Sequence, residues 1–321
     1  MTAALVGALE GLSVLLCEKS GQVGGTSATS AGTVWVPGTR QAQAAGFTHG
    51  IAEARKYLDA VIGTAPDDRR EIYLQSAPEV IDYLERRSEV KFAPYARHPD
   101  YLANRPGATL GGRPLAPVPF DGRLLDDHFD LLRPPIGEFM ALGGMMIGRD
   151  DIEPLARPFA SPAALRAAAS LLWRQARDRL RYRRGTRLLM GNALVARLLF
   201  SLMQNRVPIW CNAGLEELTV SGGRVRGGVL LIKGERKQVT ARRGVVLATG
   251  GFGGSVDRLN KYLRPPLAHA VAFSGATGDG MRLACGGRGG RGGSRLARVP
   301  YSSLGYALAR GRLRSLSSSL P

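Results

Sequence analysis

Apolar positions change rhythm several times along the chain. TAALVGALE at residues 2–10 carries apolar residues at helical spacing, and Gly11 stops the pattern. SVLLC at 13–17 follows as a continuous apolar run, as a strand buried in a parallel sheet requires, and Glu18 ends it. SAPEVIDYLERRS predicts a surface helix that Ser76 caps, with Pro78 early in its first turn and Ile81 and Leu84 on one face. A second helix runs from Ser161 and Pro162 to a stop at Gly185, and a third, NALVARLLFSLMQNR, starts at Asn192. Short strands come next: VPIWC, LEELTV, RVRGGVLLI, KQVTA and the apolar GVVLATGG, with SGG and KGER as turns. Between Lys91 and Ile152 the chain is rich in Pro, Gly and aromatics with little periodicity, a composition that marks a functional or covering segment. There is no internal repeat.

Composition bounds the class. The 321 residues are 44% hydrophobic, which suits a globular protein with a sizeable core. Cys17, Cys211 and Cys285 lie far apart, with no metal or disulfide spacing, so a cytoplasmic setting is expected. The apolar start lacks a basic flank and a small-residue cleavage site, and no uncharged run reaches the roughly 18 residues that span a bilayer. The net charge of +18 is concentrated in two places. Residues 280–321 hold eight arginines and no acid, and the 165–187 segment holds eight arginines against Asp178 alone. In the latter, Leu165, Leu172 and Ala176 give an apolar face with arginines on the other, which reads as a solvated face; docking on a phosphate surface is the alternative.

The chemistry lies in ordered glycine-rich turns. An acidic residue ending a strand, as Glu18 does, accepts from ribose hydroxyls in dinucleotide sites. GGTS and SAG follow, and glycines there let backbone N–H groups approach a pyrophosphate or a flat ring. GVVLATGGF repeats the strand-to-glycine pattern, and GATGDG sets Asp279 in a tight turn. Each alone is an ordinary turn; their order makes a constellation.

In that order they resemble the FAD-dependent oxidoreductase 2 family, of the fumarate reductase and 3-ketosteroid dehydrogenase type. LLCEKSGQVGGTSATSAGTVWVP resembles its second strand and flavin loop, RRGVVLATGGFGG its second FAD signature, and ATGDG a third. SAGTVWVP, HPDY, PFDG and RPPIGEF are closer to the ketosteroid dehydrogenase branch. The resemblance implies an α/β fold: an FAD/NAD(P)-binding Rossmann-like, doubly wound domain with a β-meander, over residues 1–284. It implies FAD as cofactor, with Glu18 on the adenosine ribose and Lys19 and Ser20 at the adenine end. Gly24, Gly25, Thr26 and Ser27 would follow the pyrophosphate and ribityl chain, and Ala31 and Gly32 the isoalloxazine. Leu215 would meet the adenine by its main chain, Ala248, Thr249 and Gly250 would close the adenosine side, and Asp279 would bind near the ribityl or pyrophosphate. No metal is implied.

The implied reaction passes a hydride from a substrate carbon to flavin N5 while a base takes a proton from the neighbouring carbon. The substrate class is a 3-ketosteroid or related cyclic ketone. Tyr101 is the candidate acid/base, Tyr95 the runner-up, and a tyrosine that merely packs its ring is the alternative. His49, His98, His128 and His269 are isolated and read as structural. Relative to the family pattern, Met1 falls just after the glycine-rich turn, so the expectation is a domain without its first strand and most of its capping domain, with impaired catalysis. Residues 285–321 read as a disordered Arg/Gly/Ser-rich tail. Two other readings stay open: an inactive fragment with at most partial FAD binding, and an RNA-interacting protein using the RGG-like tail.

Overall fold

In the computed structural model, residues 1–63, 68–263 and 272–286 are described. His269 and the tail beyond residue 286 lie outside them. The chain divides into two compact units, one built from Met1–Val14 and Ser27–Val207, the other from Leu15–Thr26 and residues 208 onward.

The first unit is mainly helical and centres on the helix Met190–Gln204, in which Ala193, Val195, Ala196, Leu199 and Leu202 are buried. The amino-terminal helix Thr2–Leu9 packs against it. Its one long cation is consumed locally. The buried Arg197 guanidinium donates to the carbonyls of Val118 (2.9 Å), Glu89 (2.7 Å) and Pro119 (2.7 Å), which ties the preceding irregular segment to the core helix. Asn192 does not cap this helix, as the sequence suggests. Its side chain is buried one turn inside and donates to the carbonyls of Ala28 (3.2 Å) and Arg133 (2.7 Å).

The sequence also places one helix start too late. The helix Asp68–Arg87 contains Pro78 in its interior, and Ser76 donates to the Ile72 carbonyl at 2.5 Å instead of capping. Ser161 does cap Pro162–Arg179, accepting from the Ala164 N–H at 3.0 Å, but that helix ends at Arg179, well before Gly185. A small antiparallel sheet, with Pro114–Pro117 between Val34–Trp35 and Phe92–Pro94, organises the Pro-rich stretch.

In the second unit, Leu16–Cys17 pairs in parallel with Ile209–Trp210. The meander is Ala213–Ser221, Arg224–Ile232 and Glu235–Thr240. Its two-residue turns, Gly222–Gly223 and Lys233–Gly234, all have positive φ, the geometry that matches strand twist in a tight hairpin. A Cβ on Gly227 would stand 2.0 Å from the Val239 carbonyl, so the middle strand requires glycine there.

One expected strand is missing. Residues 245–249 make no ladder among the described residues, and Val246 is 72% exposed. An apolar run becomes a buried strand only when a neighbour supplies hydrogen bonds and covers it, and no described strand does either.

Candidate FAD site

The second unit brings together, from three chain segments, most of the residues expected at the nucleotide. Parallel pairing carries Leu16–Cys17 to Glu18, whose N–H donates to the Trp210 carbonyl at 2.8 Å and whose own carbonyl accepts from Ala213 at 2.9 Å. These bonds fix the Glu18 backbone at the strand end. Its carboxylate accepts from Ser20 twice, from the N–H at 2.9 Å and the hydroxyl at 2.8 Å. Both of these bonds fall on Oε1. Leu215 is the third residue of the first meander strand, opposite Leu230, and a bulge between Leu215 and Glu217 interrupts the ladder beside it.

Lys19 and Asp279, 260 residues apart, are brought together. The ammonium lies 2.5 Å from Oδ2 of Asp279 and 2.8 Å from the Thr277 hydroxyl, which in turn donates to Oδ1 of Asp279 at 3.1 Å. Burial works to raise the Asp279 pKa. The Lys19 hydrogen bond and charge and the Thr277 bond outweigh it and hold the carboxyl below its ordinary value.

Thr249 and Gly250 join the same cluster. Thr249 Oγ1 accepts from the Gly280 N–H at 3.0 Å, the Gly278 N–H donates to Gly251 at 3.0 Å, and Gly250 has φ of +76°. Asp279 opens the helix Asp279–Gly286, so its turn presents amide groups beside a charged pair. Gly24 and Gly25 have φ of +112° and +49°, and Thr26 accepts from the Phe273 N–H at 3.1 Å. Ala248 is exposed.

Ser27, Ala31 and Gly32 belong to the first unit. There Gly32, with φ of +67°, crosses Gly191 so closely that a Cβ on it would lie 2.5 Å from the Gly191 Cα. A Cβ on Gly191 would lie 1.9 Å from the Ser27 carbonyl, and the Gly191 N–H donates to Ser30 at 3.0 Å. Bare backbone is thus packed where the sequence expects a flat ring to approach. Gly191 was not singled out by the sequence; its signal is the MG that opens an otherwise helical run.

Tyr101 is 97% exposed, on a turn also in the first unit. The residue before it, Asp100, is buried and makes an ion pair with Arg113 at 2.8 Å. Asp100 also accepts from the Trp35 indole at 2.7 Å and the Thr109 N–H at 2.9 Å. This latch holds the turn, and the sequence signalled it only through HPDY. Tyr95 stacks its ring near His98, with centroids 5.1 Å apart. His49 and His128 are exposed. Cys17 and Cys211 are half-buried, and burial pushes both thiol pKa values up, with Glu18 adding to the effect at Cys211. Among the described residues no group of His, Cys, Asp or Glu is arranged to hold a metal.

The residues suit the adenosine half of a flavin dinucleotide: an acceptor at a strand end, a cation–carboxylate pair at a helix start, and glycines with positive φ between them. The family model described as FAD binding domain matches residues 1–305. The chain belongs to that family, whose cofactor is FAD and whose members include dehydrogenases acting on CH–CH bonds.

Among curated relatives, the chain is 37% identical over 299 residues to the 4-oxocyclohex-2-ene-1-carboxylate 5-dehydrogenase of Sinomonas cyclohexanicum, covering 90% of this chain and 50% of that protein. It is 33% identical over 266 residues to the 3-oxosteroid 1-dehydrogenase of Comamonas testosteroni, covering 80% of this chain and 45% of that one. A solved relative is the 3-ketosteroid delta1-dehydrogenase from Sterolibacterium denitrificans in complex with 1,4-androstadiene-3,17-dione. It matches with a TM-score of 0.77 at 34% identity, over 89% of this chain and 52% of that one. The chain spans about half the length of the relatives it matches.

Proposed function

We propose that this chain is the FAD-holding part of a dehydrogenase that removes two hydrogens from a CH–CH bond beside a ring ketone. The observation that carries the reading is the Glu18 strand end, set among the Lys19, Thr277 and Asp279 cluster in one unit. Glu18 Oε2 binds the adenosine ribose, Lys19 and Ser20 flank the adenine end, and the Leu215 main chain meets the adenine. Gly24, Gly25, Thr26 and Ser27 follow the pyrophosphate and ribityl chain, Ala248, Thr249 and Gly250 close the adenosine side, and Asp279 orders the turn beside the phosphates. Ala31 and Gly32 admit the ring by backbone.

FAD, when bound, supplies the hydride acceptor. The chain supplies the proton acceptor: Tyr101, as its phenolate, takes a proton from the carbon next to the ketone, where the carbonyl makes that proton acidic, and becomes the phenol. The Asp100–Arg113 latch sets the reach of the Tyr101 turn. The dehydrogenases to which the chain is similar act on 3-oxosteroids and oxocyclohexene carboxylates, which supports a 3-ketosteroid or smaller cyclic keto acid as the substrate class, and the widely spaced free cysteines suit a reducing cytoplasm.

The test is to add FAD to the purified chain, remove free flavin by gel filtration, and record the absorption band. Retained flavin that is lost in Glu18→Ala is the expected result. No retained flavin overturns the reading. Reduction of an artificial acceptor with 4-oxocyclohexanecarboxylate or a 3-ketosteroid tests the substrate class. Tyr101→Phe is expected to slow that reduction by about 10²–10⁴ while leaving flavin content unchanged.

A further inference from the structure

The helix Pro162–Arg179 is turned opposite to its sequence pattern. Its buried positions are Ala168, Gln175 and Asp178, and the two polar ones make hydrogen bonds within the first unit. Gln175 donates to the Leu142 carbonyl at 3.0 Å. Asp178 accepts from the Thr186 N–H and hydroxyl, each at 2.7 Å. Because these fixed bonds decide the rotation, the apolar stripe faces outward.

Leu165, Ala169, Leu172, Trp173, Ala176 and Leu180 follow one another at spacings of four, three, one, three and four, which is a single helical face. All six are exposed, Trp173 at 67% and Leu180 at 88%. Phe159, in the turn before the helix, is 87% exposed. A continuous outward stripe of this kind marks a surface that something covers.

The charge says what covers it. From Arg157 to Arg184 there are eight arginines, and the one acidic residue, Asp178, points inward. Arg166, Arg177 and Arg179 are exposed along the stripe, and the Arg177 guanidinium lies 5.7 Å from the Trp173 ring centre. Arg181, just beyond, spends its charge on Asp126 at 2.6 Å. A second copy docked by two-fold symmetry would bring these like charges together, at an energetic cost. A surface both negative and apolar satisfies stripe and arginines at once.

We propose that this helix lies on anionic lipid, with Leu165, Leu172, Trp173 and Leu180 at the headgroup–acyl boundary and the arginines among the phosphates. No helix among the described residues is long and apolar enough to cross a membrane, so the association is peripheral. The inference does not depend on FAD or on the proposed reaction.

Co-sedimentation of the whole chain with vesicles tests it. Vesicles of phosphatidylcholine mixed with phosphatidylglycerol should carry the protein down, and phosphatidylcholine alone should carry much less. Added salt should weaken the binding. Arg177→Gln should lower affinity about fivefold, the effect of one cation at such a surface. Leu172→Glu and Trp173→Glu should each lower it by tenfold or more, on the order of two such charge effects. The positions are exposed, and far-UV circular dichroism checks that each variant folds. Equal sedimentation of Leu172→Glu and the parent overturns the proposal, as does binding indifferent to lipid charge. If vesicles are ignored and Leu172→Glu instead abolishes a dimer seen by light scattering, the stripe is a self-association surface and the proposal fails.

Discussion

Asp100 and Arg113 pair at 2.8 Å with each side chain only 1% exposed, and the guanidinium lies 5.7 Å from the Trp35 ring centre and 5.9 Å from that of Tyr57. A buried pair of this kind is costly to break on one side, because the remaining charge has no water to return to. Asp100→Ala should therefore destabilise the first unit by about 3–5 kcal/mol in urea unfolding. The double variant Asp100→Ala/Arg113→Met should lose less than the two single losses added together. Additive losses would mean that the two residues act separately.

Glu18→Ala should weaken FAD binding by roughly 1–3 kcal/mol, since it leaves charge-assisted hydrogen bonds unmade. Fluorescence titration with FAD reads the change directly. Ser20→Ala should have a smaller effect, as it removes the hydroxyl bond to Oε1 and leaves the N–H bond to the same oxygen in place. Unchanged affinity in Glu18→Ala would remove Glu18 from the site.

Asp279 makes stability depend on acid. Its folded-state pKa is held below the ordinary carboxylate value, so at low pH the unfolded chain binds the proton more readily. The contribution is full above the usual carboxylate pKa of about 4 and is lost as pH falls through the lowered folded value. Asp279→Asn should melt lower than the parent at neutral pH, and the two melting temperatures should converge on acidification. A gap that stays constant with pH would show that Lys19 does not hold the carboxyl.

Gly191→Ala should be destabilising by about 1–3 kcal/mol or more, because its Cβ would overlap the Ser27 carbonyl at 1.9 Å. Gly137→Ala is the matched control, since nothing lies within 4 Å of a Cβ there. Comparing the two by chemical denaturation separates close packing from the general effect of losing a glycine.

Local chemistry was readable in the chain. Gly11 ending the first helix, Ser161 as a cap, the two tight turns of the meander and the strand-to-Glu18 step all depend on residues a few positions apart. Such short-range preferences act before any tertiary contact forms. The order of the glycine-rich motifs identified the family for the same reason, since each motif is a contiguous backbone requirement.

Tertiary structure decided what sequence neighbours could not. GVVLATGG has the composition of a buried strand, yet residues 245–249 find no strand partner among the described residues and are exposed except for the half-buried Leu247, because a strand is defined by its neighbour. The leucines of Pro162–Arg179 have the spacing of a core face, yet bonds from Gln175 to Leu142 and from Thr186 to Asp178 turn the helix the other way. Asn192 looked like a cap and became a buried tie to Ala28 and Arg133. Lys19 and Asp279 are each ordinary alone. Only folding brings a cation and a carboxylate 260 residues apart to within 2.5 Å, and with them the shifted pKa at the candidate site.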